Sequence, residues 1–269
     1  MAAVQSAAAE LSVAACAAQH PGDRSEQQDR VAILRSSISP RCVLALLADG
    51  LGGKSGGAMA AAQVVMVARR LFEDFRPGES AHQFFDTLVD EVNTVISLTG
   101  MTANLEPHST LVAVLVQSGR ADWCHVGDSR VYHFRGARLL HRTTDHTFAQ
   151  RLLDSGLYSA ERARLHPSAG RLTRALGSRR RPDATHGGTE QAAAGDRFLL
   201  CSDGLWAYYS DEELGLALDS MPARAAAETL IAGARGRAQG RGDNCSLVLL
   251  NLRPGEAVST AAAGCAAVI

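Results

Sequence analysis

Residues 42–55 read CVLALLADGLGGKS, an apolar run that ends in an aspartate and a glycine-rich turn. Its last eight residues, ADGLGGKS, satisfy the relaxed phosphate-loop pattern of a strand, a glycine turn and a Lys–Ser pair. Two folds compete for this stretch. A phosphate loop belongs to a doubly wound parallel sheet, with Lys54 reaching the phosphates. A turn organised around Asp49 needs only a strand end that presents a carboxylate. The flanking segments decide between them.

Downstream, Val64, Val67, Ala68, Leu71, Phe72 and Phe75 repeat at the spacing of one buried helical face, which predicts a helix over 58–75. After Pro77–Gly78, Ser80 and Gln83 form a capping-box signature, and Phe84, Phe85, Leu88, Val92, Val95 and Ile96 make a second apolar stripe. Strand-like runs surround this helix pair at 31–34, 42–48, 110–116, 122–126, 130–134, 197–201 and 245–250. Short turns, QSGR (117–120) and RGAR (135–138), join several of them as hairpins. Further helices are predicted at 148–155, 160–165, 211–217 and 223–234, the third opened by a Ser210–Glu213 capping box. Hairpins together with adjacent helix pairs favour antiparallel sheets covered by helices, an α+β fold rather than a parallel one. One domain over 1–253, with a surface excursion at 147–171 and an Ala-rich disordered tail at 254–269, is the expected organisation.

Asp49 is not alone. Apolar runs also lead into Asp128 (WCHVGDS) and Asp203 (RFLLCSDG), and Asp243 (GRGDN) stands just ahead of another. A single strand-end aspartate is ordinarily a solvated turn residue. Four of them on strands that pack together would bring carboxylates within a few ångströms, a cluster that needs a cation to neutralise it. All-oxygen donors suit Mg²⁺ or Mn²⁺ rather than zinc or copper. Glycine after the aspartate lets its carbonyl turn toward an ion and lets a substrate approach closely. Two such ions sharing a carboxylate and a water would make hydroxide available near neutrality, which is a hydrolase centre.

These motifs resemble the metal-dependent protein phosphatases, the protein phosphatase 2C-like family in a bacterial-style minimal form. They run in the family's order from about Ala14 to Leu250: RSEQQDR (24–30), ADGLGG (48–53), STLVAVLV (109–116), HVGDSRVY (125–132), TTDHT (143–147), LTRALG (172–177), LLCSDGLW (199–206) and GDNCSLVLL (242–250). The resemblance implies a four-layer αββα sandwich of two mainly antiparallel sheets flanked by helix pairs. It implies a serine/threonine protein phosphatase that cleaves phosphoserine and phosphothreonine in one step, by attack of a hydroxide bridging two Mn²⁺ or Mg²⁺ ions. By the same resemblance Asp49 bridges the ions, the Gly50 carbonyl, Asp203 and Asp243 complete one shell, and Asp128 with Asp203 holds a labile third ion. Asp29 would act through water. Arg24 aligns with the phosphate-binding arginine, whose guanidinium fork matches two phosphoryl oxygens. Asn244 and Ser129, beside ligands, take support roles. Partners would be phosphorylated proteins, namely a Ser/Thr kinase or its targets.

The chain departs from the family pattern in two places. Larger eukaryotic members carry a histidine where Leu51 stands, so leaving-group protonation falls to a bound water or another group. Gln28 stands where a glutamate is frequent and brings no charge to the second ion. The segment 147–171 resembles the family's flap beside the active site, and its polar, Arg-rich composition suits a substrate-facing segment.

Three other readings compete with this one. CHVGDSR (124–130) matches the cysteine-phosphatase pattern C-x-x-G-x-x-R, but VYHFR after it alternates like a strand, and Asp128 would put a negative charge in the phosphate pocket. A phosphate-loop nucleotidase would place Asp49 among the phosphates and needs parallel crossovers that the hairpins do not offer. A pseudophosphatase, kept for binding or regulation, would be consistent with lost metal aspartates, yet all of them and Arg24 are present.

Composition narrows the partners. The net charge is −1 and hydrophobic residues make up 46% of the 269 positions, which gives no basic face for nucleic acid. No run of about 18 apolar residues suggests membrane insertion. The amino terminus lacks the basic segment of a secretion signal. Six cysteines without a C-x-x-C pair read as buried free thiols, and the expected location is cytoplasmic.

Overall fold

A computed structural model describes residues 11–39, 41–51 and 56–255. Lys54, the neighbouring Gly52 and Gly53, and the tail beyond Gly255 lie outside the described residues. The elements in chain order are β1 (Leu11–His20), β2 (Arg30–Arg35), β3 (Val43–Ala48), β4 (Gly50–Leu51), α1 (Gly56–Asp74), α2 (Ala81–Ala103), β5 (His108–Ser109), β6 (Leu111–Gln117), β7 (Arg120–Val126), β8 (Arg130–Arg135), β9 (Arg138–Arg142), α3 (Phe148–Asp154), α4 (Ala160–Arg164), β10 (Thr185–Thr189), β11 (Asp196–Cys201), α5 (Asp203–Trp206), α6 (Asp211–Ser220), α7 (Ala223–Ala238) and β12 (Cys245–Pro254).

One five-stranded sheet runs β1-β12-β11-β8-β9, the other β10-β7-β6-β3-β2, and β4 with β5 forms a separate ribbon. Every pairing between these strands is antiparallel. The parallel crossovers that a phosphate-loop fold requires are absent among the described residues.

Period-two alternation builds the layers. On β3, Leu44 and Leu46 face one way and pack with Val64, Phe72, Phe85, Leu88 and Ile96 of α1 and α2. Val43, Ala45 and Leu47 face the other way and meet Val131, Phe198, Leu200, Val248 and Leu250 of the opposite sheet. On β12 the same alternation sends Leu247 and Leu249 toward Leu214, Leu218, Leu230 and Ile231 of α6 and α7. The result is a four-layer αββα sandwich. Both central sheets have two buried faces, which explains why β3 and β6 are apolar at nearly every position.

The helix starts follow their capping residues. The Ser80 side chain accepts the Gln83 N–H at 3.3 Å, and Ser210 with Glu213 makes the full reciprocal box at α6. The structure corrects the strand count. β1, β4, β5 and β10 lie outside the expected strand runs, and β12 extends to Pro254, four residues past the run read at 245–250. No helix among the described residues is long and apolar enough to cross a membrane.

Candidate active site

The ends of β3, β11 and β12 converge on one side of the sandwich. Asp49 leaves β3 with its backbone pinned twice: its N–H donates to Thr110 Oγ1 at 2.9 Å, and its carbonyl accepts the Thr110 N–H at 2.8 Å. Ser109 Oγ donates to the same carbonyl at 3.1 Å. Thr110 Oγ1 also lies 2.8 Å from Ser129 Oγ, so the Asp49 turn is tied to the turn that carries Asp128. Gly50 is required by crowding as well as by its carbonyl. A Cβ there would stand 2.1 Å from the Gly57 carbonyl oxygen, where α1 begins.

Asp203 opens α5 directly after β11. Ser202 occupies the N-cap position but makes no side-chain cap bond to the helix; its Oγ donates to Asp29 Oδ2 at 2.8 Å. Asp29 is fully buried ahead of β2, and its Oδ1 has no hydrogen-bond partner. Asp243 lies in the loop before β12. Its Oδ2 accepts Arg24 Nη2 at 2.7 Å, with both side chains about half exposed. Asp128 sits in the β7–β8 turn, and its carbonyl accepts Trp206 Nε1 at 2.9 Å. The Arg130 guanidinium covers that indole, 3.5 Å from the ring centroid, and forks onto Asp145 with two 2.8 Å bonds.

A cavity of about 490 Å³ collects Arg24, Asp49, Gly50, Asp203 and Asp243, together with Leu51 and Asn244. Asp29 and Asp128 do not line it, although both raise the cost of charging Asp49. Burial, reinforced by the charges of Asp29, Asp203, Asp128 and Asp243, holds the Asp49 carboxyl well above the usual carboxylate range. Burial also pushes Asp29 up to about 6 against the hydrogen bonds of Ser246 and Ser202. It raises Asp203 to about 6, assisted by Asp243 and Asp29, and Asp128 to about 7, assisted by Asp203 and Asp145.

Buried like charges of this kind fit a divalent cation, and the unpartnered Oδ1 of Asp29 is a donor atom in want of a partner. As the side chains stand, no three acidic, histidine or cysteine groups among the described residues close into a cage. Asp243 is turned onto Arg24 instead. The carboxylate oxygens fit hard cations in type, and those of Asp29, Asp49, Asp128 and Asp203 also in burial.

Beside the site, α3 and α4 form the excursion at 147–171. Its base is bound to the Asp128 turn, with the His146 N–H on the Gly127 carbonyl at 2.9 Å and the Gly127 N–H on His146 Nδ1 at 3.2 Å. His146 is thereby a structural residue. Cys124 is fully buried on β7, and burial pushes its thiol far up, so it offers no accessible thiolate. The residues that sequence reasoning missed are hydroxyls: Ser202 and Thr110. Ser202 stands directly before Asp203, the one cue the sequence carries, whereas Thr110 meets Asp49 only through the fold, 61 residues away in the chain.

Residues 16–233 match the family model for Protein phosphatase 2C, and the chain belongs to that family. It is 38% identical over 191 residues to the serine/threonine protein phosphatase PstP of Mycobacterium tuberculosis, covering 70% of this chain and 36% of that protein. The chain thus spans about a third of that relative's length. A solved catalytic domain of PstP in complex with two manganese ions shares 34% identity, with a TM-score of 0.75 over 91% of this chain and 100% of that one. A Streptococcus agalactiae serine/threonine phosphatase has the same fold, with a TM-score of 0.82 at 23% identity over 89% of this chain and 99% of that one.

Proposed function

We propose that the chain is a metal-dependent protein serine/threonine phosphatase acting on phosphoserine and phosphothreonine in proteins. The observation that carries this is the convergence of Asp49, Asp203 and Asp243 with Arg24 on one cavity, where Asp49 and Asp203 are too buried to charge together unaided. Asp49, the Gly50 carbonyl, Asp203 and Asp243 would hold two Mn²⁺ or Mg²⁺ ions, Asp128 with Asp203 a third, and Asp29 would act through water. Bound, the ions would supply charge neutralisation and a water acidic enough to attack phosphorus near neutral pH.

The protein's own groups do the rest. Arg24, about 62% exposed at the rim, turns from Asp243 to the phosphoryl oxygens and takes up charge as it develops. Leu51 at the cavity wall offers no proton, so protonation of the leaving alkoxide falls to a bound water or another group. Phosphorylated proteins, a Ser/Thr kinase or its targets, are the proposed substrates. The five described cysteines are all unpaired thiols, which suits a cytoplasmic, reducing location.

The Arg24–Asp243 pair favours one alternative, a weak pseudophosphatase locked by its own ion pair. Hydrolysis of p-nitrophenyl phosphate and of a phosphothreonine peptide separates the two. We expect turnover that requires Mn²⁺, stops with chelator and survives thiol alkylation. Turnover indifferent to Mn²⁺ and chelator, or none at any metal concentration, would sink the proposal.

A further inference from the structure

We propose that Asn244 is a positioning residue for Arg24, an inference that rests on the phosphatase reading above. Asn244 is only 5% exposed, and its amide is spent on the loop that carries Arg24. Its Nδ2 donates to the carbonyls of Pro21 and Glu26, both at 2.9 Å, and its Oδ1 accepts the Gln28 N–H at 2.7 Å. These three bonds straddle residues 21–28, with Arg24 between them. Arg24 itself is tied to the clamp, since its N–H donates to the same Pro21 carbonyl at 3.2 Å.

The loop lies flat against the 242–243 backbone. The Asp23 N–H donates to the Gly242 carbonyl at 2.9 Å, and the Gly242 N–H returns to Asp23 Oδ2 at 2.7 Å. Gly22 has φ +64°, and a Cβ on it would stand 2.1 Å from the Asp243 carbonyl oxygen. Asn244 also reaches the carboxylate side of the site: its own N–H donates to Asp243 Oδ1 at 2.8 Å, while Arg24 holds Oδ2.

The Asn244 side chain therefore fixes the arginine's backbone, while its contact to the Asp243 carboxylate is made by the main-chain N–H, which any replacement keeps. The arginine needs this because so much of its side chain stands in solvent, with little packing to set its direction. No other short side chain supplies two donors and an acceptor at this reach. Aspartate lacks the donors, and serine cannot span the loop. Asn244 thus acts on phosphate recognition through Arg24, and the capacity to bind ions is left to the aspartates.

A double-mutant cycle tests this with wild type, Arg24→Ala, Asn244→Ala and the pair, using a phosphothreonine peptide at saturating Mn²⁺. We expect Asn244→Ala to lower kcat/KM by about tenfold or more and to weaken inhibition by inorganic phosphate by a similar factor. Added to Arg24→Ala, it should cost no more than about twofold further, because the two act as one unit. Mn²⁺ affinity by calorimetry should stay within about threefold of wild type, as expected of a residue that does not touch the ions. Should Asn244→Ala fail to fold, Asn244→Ser runs the same cycle. Penalties that multiply, or Mn²⁺ affinity falling in step with activity, overturn the inference while leaving the phosphatase reading intact. An Arg24→Ala protein as active as wild type overturns the reading of Arg24, and the inference with it.

Discussion

Asp49 and Lys54 are five residues apart, and the choice between them decides the chemistry of the turn. The structure pins Asp49 by its backbone to Thr110, so its carboxylate is aimed by the fold. Ser202 does the same for Asp29 by spending its hydroxyl there instead of on its own helix. Replacing Ser202 with Ala leaves Asp29 Oδ2 short of a donor in a fully buried setting. We expect that variant to lose about 1–3 kcal/mol of stability in urea unfolding of the metal-free protein. A loss near zero would mean that Ser246 alone satisfies Asp29. Asp49, Asp128 and Asp203 stand out in the sequence because each follows an apolar run, and Asp243 because it stands just ahead of one. Ser202 and Thr110 do not, because a hydroxyl near a strand has many ordinary uses, and only tertiary packing shows which one it serves.

Among the elements, α1 was read to within two residues at both ends, whereas α2 and α6 begin at their predicted serine caps but run on to Ala103 and Ser220. β1 was missed because LSVAACAAQH has alanine at four of its ten positions, a residue with weak strand preference and little to pack. Its pairing with β12 along all ten positions holds it in place, and local sequence carries no trace of that partner. β10, THGGT, was hidden in the same way by its two glycines. The capping box at α6 can be tested alone. Ser210→Ala removes the acceptor of the Glu213 N–H and should cost about 1 kcal/mol, read as a shifted urea midpoint at constant m. In the core between β3 and the helices, Leu46→Ala should cost about 2–5 kcal/mol by the same assay, because its site has no route to solvent.

For the whole molecule, the carboxylate cluster should make stability depend on pH and, if it holds the proposed ions, on metal in a linked way. Asp29 and Asp203 rise to about 6 and Asp128 to about 7 in the folded protein, against 3.8 for an ordinary aspartate. Groups raised on folding bind protons more tightly in the native state, so the native state gains from them at low pH. That gain is full below about pH 4 and is lost as pH rises through about 6 to 7. The metal-free protein should therefore lose melting temperature between pH 5 and 8 on account of this cluster. Saturating Mn²⁺ should raise the melting temperature little at pH 5, where protons compete for the same oxygens, and strongly at pH 8. Thermal scans with and without Mn²⁺ across that range check both signs. An Mn²⁺ effect of equal size at pH 5 and 8 would place the ions elsewhere.

The central claim is that Asp49 and its neighbours hold the ions that make this fold a phosphatase. Phosphate release from a phosphothreonine peptide, wild type against Asp49→Asn at matched Mn²⁺, tests it most directly. Asparagine keeps the shape of the side chain and removes its charge. The account predicts that kcat falls by about a hundredfold or more while the fold is retained. An Asp49→Asn protein that releases phosphate at the wild-type rate would contradict it.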